Sequence, residues 1–198
     1  MREVLKNMPE KNLEHKDTTS LKWKSDVIDF FQDKNLKRCL ELGTNRGKST
    51  KVLSSLFDEV YTIDSQQNYV DQAKLFCKEC DNIKFFCGDV YDMKTYENLP
   101  KTYSVVVIDC YHVYEWVVDD IKRALKFFDE DTGLYLVFDD YGHPTTDVKK
   151  AVDYAVYSGL LIEKYIGESE GFTVKRIDGT QFTLEDHEGI ILSHGVPK

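Results

Sequence analysis

Two spacings of apolar residues alternate along the chain. Short continuous apolar runs recur, and between them apolar residues return every three or four positions. The first spacing predicts strands buried on both faces, the second amphipathic helices. Residues 1–17 are mostly polar and carry no clear pattern. Thr18-Thr19-Ser20 then offers helix N-caps, and Leu21, Trp23, Val27, Ile28, Phe30 and Phe31 predict a helix to about Lys34. Strands are expected at Arg38–Leu42, Glu59–Ile63, Ile83–Cys87, Tyr103–Ile108 and Leu134–Phe138. Helices are expected between and after them, at Ser49–Phe57, Gln66–Cys80 (with Ser65 placed to cap it), Tyr114–Phe128 and Thr146–Tyr157. In the third of these Trp116, Ile121, Leu125 and Phe128 are the expected inward residues.

After Tyr157 the helical spacing stops. Glu163–Ile166, Phe172–Ile177, Gln181–Leu184 and Gly189–Leu192 read as strands, and Asp178-Gly179 is a hairpin-turn dipeptide. The expectation is one α/β domain over 1–198, with an N-terminal helical segment (1–37), a core of alternating strands and helices (38–158) and antiparallel strands at the end (159–198). Its sheet is mostly parallel, with helices on both faces.

Each core strand ends at or beside an acid: Glu41, Asp64, Asp89, Asp109, and the pair Asp139-Asp140. In an open parallel sheet these ends share one edge, and ligands bind in the crevice beyond it. A single Asp after a strand is ordinarily a turn or cap residue. Acids at five successive strand ends repel one another unless a cation, a hydroxyl-rich ligand or hydrogen bonds are shared among them.

The first strand runs into Gly43-Thr-Asn-Arg-Gly47-Lys-Ser49, a glycine turn that opens a helix and bares backbone N–H groups. A phosphate-binding loop of the Walker type has four residues between its glycines, and here there are three. A dinucleotide site needs glycine at the position that Asn45 occupies. S-adenosylmethionine carries no phosphate and accepts a looser turn. Its ribose diol suits a carboxylate such as Asp64, about twenty residues on, and its sulfonium and ammonium suit an acidic edge. Acid-x-Gly-x-x-x-Gly after the first strand, with an acid at the end of the second, resembles the pattern of class I methyltransferases, and that resemblance makes this ligand the expectation. Gly43, Thr44, Asn45 and Gly47 would lie against it, with Asp64 and Ser65 at the ribose and Asp89 and Val90 at the adenine.

Composition narrows the partners. The 198 residues have a net charge of −9, which argues against nucleic acid held through its phosphates. No apolar run approaches a membrane span, and the N-terminal stretch has no secretory core. Five cysteines, an odd number, suggest reduced thiols and a cytoplasmic setting. Cys77-x-x-Cys80 sits in a helical pattern with no second pair at zinc spacing, so ordinary helix residues are expected there.

The stretch Cys39-Leu-Glu-Leu-Gly-Thr-Asn-Arg-Gly-Lys-Ser-Thr50 resembles the first motif of class I methyltransferases, and more closely that of the catechol-type O-methyltransferases. The resemblance implies a Rossmann-like sheet and roles for Glu41 and Ser49 in holding the methionine part of the donor. Asp109 and Asp139-Asp140 match that family's metal ligands, which implies three oxygen ligands on a hard cation such as Mg²⁺. Asp139-Asp140-Tyr141-Gly142, followed by Ala151-Val152-Asp153, resembles the macrocin O-methyltransferases, which methylate a sugar hydroxyl. Asp109-Cys-Tyr-His112-Val-Tyr-Glu115 resembles a segment of the same wider group. A histidine at the spacing of His143 is the base in some of these enzymes, which implies catalytic roles for His143 and Asp109. His112 is then expected to line the cofactor site or cap a helix. The expected acceptor is a sugar, a glycan or a small polyhydroxylated molecule. A catechol or phenol acceptor, a non-catalytic module of this fold, and a place as one module of a longer glycan-processing chain are the alternatives.

Overall fold

The computed structural model describes residues 3–6, 19–176 and 179–197. Thr18 and Asp178, expected as a helix cap and as half of a turn, lie outside the described residues, as does Ile177 at the end of an expected strand. A parallel sheet is built around β1 (Arg38–Leu42), which pairs with β2 (Glu59–Asp64) on one side and β4 (Val105–Ile108) on the other. β3 (Ile83–Cys87) flanks β2, and β5 (Leu134–Phe138) flanks β4. Beyond β5 the sheet continues with two antiparallel strands in the order β9 (Gly189–His194) then β6 (Leu161–Ile166). β7 (Thr173–Lys175) and β8 (Gln181–Thr183) form a separate two-stranded hairpin.

The central strands β4 and β5 read as unbroken apolar runs because both of their faces are covered. Leu40, Leu42, Val106, Ile108, Leu136 and Phe138 pack on one face, with Val117 and Ile121 of α5 (Tyr114–Ala124) and Ala151 and Val152 of α6 (Val148–Tyr157). The alternate residues Cys39, Val105, Val107 and Val137 pack on the other, with Trp23, Val27 and Phe31 of α2 (Leu21–Phe31) and Leu53 of α3 (Lys48–Ser54). Burial of a single large side chain in such a core contributes about 1.5–3 kcal/mol. Ser20 starts α2 by accepting a hydrogen bond from the Trp23 N–H, as a cap should. A single turn, α1 (Glu3–Lys6), places Leu5 against Ile28 and Val52.

The helices are shorter than their apolar spacing predicts. The expected Tyr114–Phe128 helix ends at Ala124 and tightens into a 3₁₀ turn over Leu125–Phe127. Its buried face runs through Val117, Asp120, Ile121 and Ala124, which leaves Trp116 exposed rather than inward. The helix after β2 is α4 (Gln67–Phe76), capped at Gln66 and not at Ser65. Asp64 causes the offset, because its Oδ1 accepts the Gln66 N–H at 2.9 Å and turns the chain there. Cys77 and Cys80 are free thiols just past the end of α4.

Candidate active site

The strand order reverses at β1, because β2 and β3 lie to one side and β4 and β5 to the other. The loops leaving β1 and β4 therefore diverge at the C-terminal edge, which opens a crevice. Backbones meet at its base. Gly43 sits at φ 102°, and a Cβ there would lie 1.8 Å from the carbonyl oxygen of Asp109. Only glycine lets the two loops approach so closely. Above this contact is a cleft of about 370 Å³, the size of a small-molecule site.

Most of the strand-end acids arrive in this cleft. Asp64, Asp89, Asp109, Asp139 and Asp140 all line it, as do Gly43, Asn45, Ser65, Val90 and His112. Asp64 is held by backbone donors, Asn45 N–H to Oδ2 at 2.8 Å and Gln66 N–H to Oδ1 at 2.9 Å. Asp89 accepts the Tyr91 N–H at 2.9 Å. Val174, Arg176 and Phe182 close another part of the wall. All three come from the β7–β8 hairpin, and no pattern in the sequence singled them out.

The acids converge most tightly around an imidazole. His112 Nδ1 is 3.4 Å from Asp140 Oδ2, and its Nε2 is 3.6 Å from Asp109 Oδ1. One ligand atom from each of the three residues lies within 4.8 Å of the others. Burial disfavours a charged imidazole, but the Asp109 and Asp140 carboxylates outweigh it and hold His112 above the usual histidine range. The Asp109 contact is too long for a hydrogen bond, and the buried Nε2 has no hydrogen-bond partner among the described residues. Burial pushes the Asp140 carboxyl up to about 6 despite the His112 charge. Asp139 is pushed well above the carboxylate range by burial and by Asp109 and Asp140, and its Oδ1 also lacks a partner among the described residues. The Asp109 and Asp140 carboxylates, with orphaned polar atoms among and behind them, offer oxygen donors that fit a hard divalent cation.

The comparisons with known proteins agree with this architecture. A family profile described as a methyltransferase domain matches residues 40–141, just over half of the chain. The chain belongs to that methyltransferase family. No curated protein matches it in sequence. Among solved structures, the O-methyltransferase from Bacillus cereus in complex with SAH is 18% identical with a TM-score of 0.64, over 99% of this chain and 89% of that one. TomG, an O-methyltransferase from Streptomyces achromogenes involved in tomaymycin synthesis and solved with SAM, is 15% identical with a TM-score of 0.65, over 100% and 91%. The N-methyltransferase NodS from Bradyrhizobium japonicum is 15% identical with a TM-score of 0.62, over 88% and 94%. These neighbours share the class I methyltransferase fold, and at such identities the likeness speaks for the fold.

Several residues expected in the site of this methyltransferase lie behind it. Glu41 is buried on the α3 face of β1, because it alternates with Leu40 and Leu42 on the other. Its Oε2 accepts the hydroxyls of Thr50 and Thr62, each at 2.6 Å, and Thr44 joins the chain through Thr62 at 2.6 Å. Burial pushes the Glu41 carboxyl up to about 8. Gly47 packs against α4, where a Cβ would lie 2.9 Å from that of Ala73. Ser49 shares a 3.2 Å hydrogen bond with Thr19. In the sequence Thr19 carries no signal beyond its place in the cap run before α2. None of Glu41, Thr44, Gly47 and Ser49 lines the cleft.

Two expectations about the chemistry change as well. The converging group is Asp109, His112 and Asp140, where Asp109, Asp139 and Asp140 were expected. Asp140 adopts φ 56°, a left-handed turn that separates the two consecutive carboxylates after β5. His143, the expected base, is buried and does not line the cleft. Its Nε2 lies 2.9 Å from Arg176 Nη2, and its ring is 3.9 Å from that of Phe182. A guanidinium can only donate, so the Nε2 lone pair that a base would need is already engaged. Burial, with Arg176 nearby, holds His143 down at about 4.

Proposed function

We propose that this enzyme transfers a methyl group from S-adenosylmethionine to a hydroxyl of a sugar, glycan or similar polyhydroxylated molecule. The observation that carries the reading is the convergence of Asp109 and Asp140 on His112 beside the Gly43 turn. Asp64 would accept hydrogen bonds from the donor's ribose, with Gly43 and Asn45 offering bare backbone beneath it and Asp89 and Val90 at the adenine. S-adenosylmethionine, when bound, supplies an electrophilic methyl on its sulfonium. Asp109 and Asp140 would hold a hard divalent cation with Asp139 behind them, and such an ion lowers the pKa of a bound hydroxyl.

His112 replaces His143 as the proton acceptor in this reading. Its Nε2 is not engaged in a hydrogen bond among the described residues, and two carboxylates stabilise the imidazolium that forms. Asp140, 3.4 Å from Nδ1, would orient the ring from the opposite nitrogen. An alkyl hydroxyl gives up its proton reluctantly, and a base so strongly supported suits it better than a phenol, which ionises more readily. The test is His112→Ala, assayed with radiolabelled donor and a panel of sugars in the presence of Mg²⁺. Turnover should fall by roughly 10²–10⁴-fold with S-adenosylhomocysteine affinity retained. Wild-type turnover in this variant would sink the assignment.

A further inference from the structure

We propose that Arg176 reads the acceptor, and that the molecule methylated carries an oxyanion, a carboxylate or a phosphate, close to the hydroxyl that reacts. This narrows the acceptor class and rests on the proposed function of the cleft.

Five aspartates line the cleft, and Arg176 is the only lysine or arginine that does so among the described residues. A guanidinium in that company ordinarily pairs with a carboxylate in a fork of two hydrogen bonds. Here none of the described acids forms an ion pair with it. Its partners are neutral. Nη2 donates to His143 Nε2, and the guanidinium carbon lies 5.1 Å from the centre of the Phe182 ring. A guanidinium can only donate, so the ring nitrogen it meets carries no proton. An imidazole acceptor and an aromatic face orient a guanidinium without neutralising it. The imidazole engages one of five N–H donors, and the rest of the fork keeps its charge.

The setting fits recognition better than charge balance. Arg176 is close enough to act through space on His112 and Asp140, yet it forms no ion pair with Asp140. It is carried on the β7–β8 hairpin, which is no part of the main sheet, and the hairpin is closed at its base by paired backbone bonds between Gly171, Phe172 and Leu184. Phe182 on the second strand packs against the His143 ring at a tilt of 42°, so one contact set fixes both the hairpin and the guanidinium. Arg176 is exposed on this wall, so the remaining donors of its fork are open to an incoming carboxylate or phosphate, which would pair with it through two hydrogen bonds.

The experiment is calorimetric titration of the protein saturated with S-adenosylhomocysteine, using matched ligands. Glucuronate is compared with glucose, galacturonate with galactose, and glucose 6-phosphate with glucose, so that the arms separate a carboxylate from a phosphate. At least one charged member should bind roughly tenfold or more tightly than its neutral partner, and Arg176→Gln should erase that advantage. Arg176→Ala repeats the test if glutamine is not tolerated, and the melting temperature and S-adenosylhomocysteine affinity report on folding. A wild-type protein indifferent to the charge, or an advantage that survives loss of the guanidinium, overturns the inference. A protein that does not bind S-adenosylhomocysteine sinks the proposed function and this inference with it. One that binds it but shows no preference for charge sinks this inference alone.

Discussion

At the scale of single residues, two positions set how the crevice is built. Gly43 combines a left-handed backbone with a backbone neighbour where its Cβ would be. Gly159 shares the positive φ, at 115°, but has nothing within 4 Å. Gly159→Ala should therefore cost only the backbone term of about 1–2 kcal/mol, and Gly43→Ala clearly more, with loss of S-adenosylhomocysteine binding. Equal costs in urea denaturation would mean that the loops yield. Glu41 gives a pH signature. Its carboxyl titrates at about 8 in the fold against an ordinary 4.5, so the native state holds the proton more tightly than the unfolded chain. Stability from this group is complete below about pH 4.5 and is lost as pH rises through 8. Glu41→Gln mimics the protonated form, so the stability difference between wild type and variant should move against wild type from pH 5 to pH 8. A difference that does not vary with pH would mean that Glu41 ionises normally.

At the scale of elements, the hairpin and the histidine beneath it belong together. His143→Ala removes the ring that Phe182 packs against and the acceptor that Arg176 uses. The expected result is a several-fold rise in acceptor KM with a smaller change in kcat and an unshifted pH profile; a shifted profile would return His143 to the role of base. The same elements show what a sequence can and cannot reveal here. β1, β3 and β5 were legible to the residue because short, mostly apolar runs are bounded by polar residues or glycine at both ends, although only β5 is apolar and buried throughout and β3 is partly exposed at the sheet's edge. Helix ends were less legible, since local side-chain contacts such as Asp64 with Gln66 N–H decide them. The acids were found because every parallel strand delivers its end to one edge. Which of them converge was not found, because it depends on the left-handed turn at Asp140 and on the pairing of Ile108 with Phe138. Arg176 left no signal at all, because its meaning comes from a hairpin folding back over loops more than thirty residues away in the chain.

For the whole molecule, a cleft assembled from the ends of five parallel strands makes ligand binding a constraint on much of the sheet. S-adenosylhomocysteine at a hundred times its Kd should stabilise the protein by about 2.7 kcal/mol, or roughly 5–10 °C in Tm. Asp64→Ala should abolish that shift, and a full shift in the variant would move the ribose elsewhere. No helix among the described residues is long and apolar enough to cross a membrane. The sheet's order also bears on how the protein is made. β9 lies between β5 and β6, yet it follows both of them and the hairpin in the chain. While the chain is being synthesised, β5 keeps an open apolar edge and β6 has no strand to pair with until residues 189–194 have left the ribosome. A nascent chain stalled before Gly189 would present that edge to its neighbours on a polysome, so this sheet must close late and would need chaperone cover until it does.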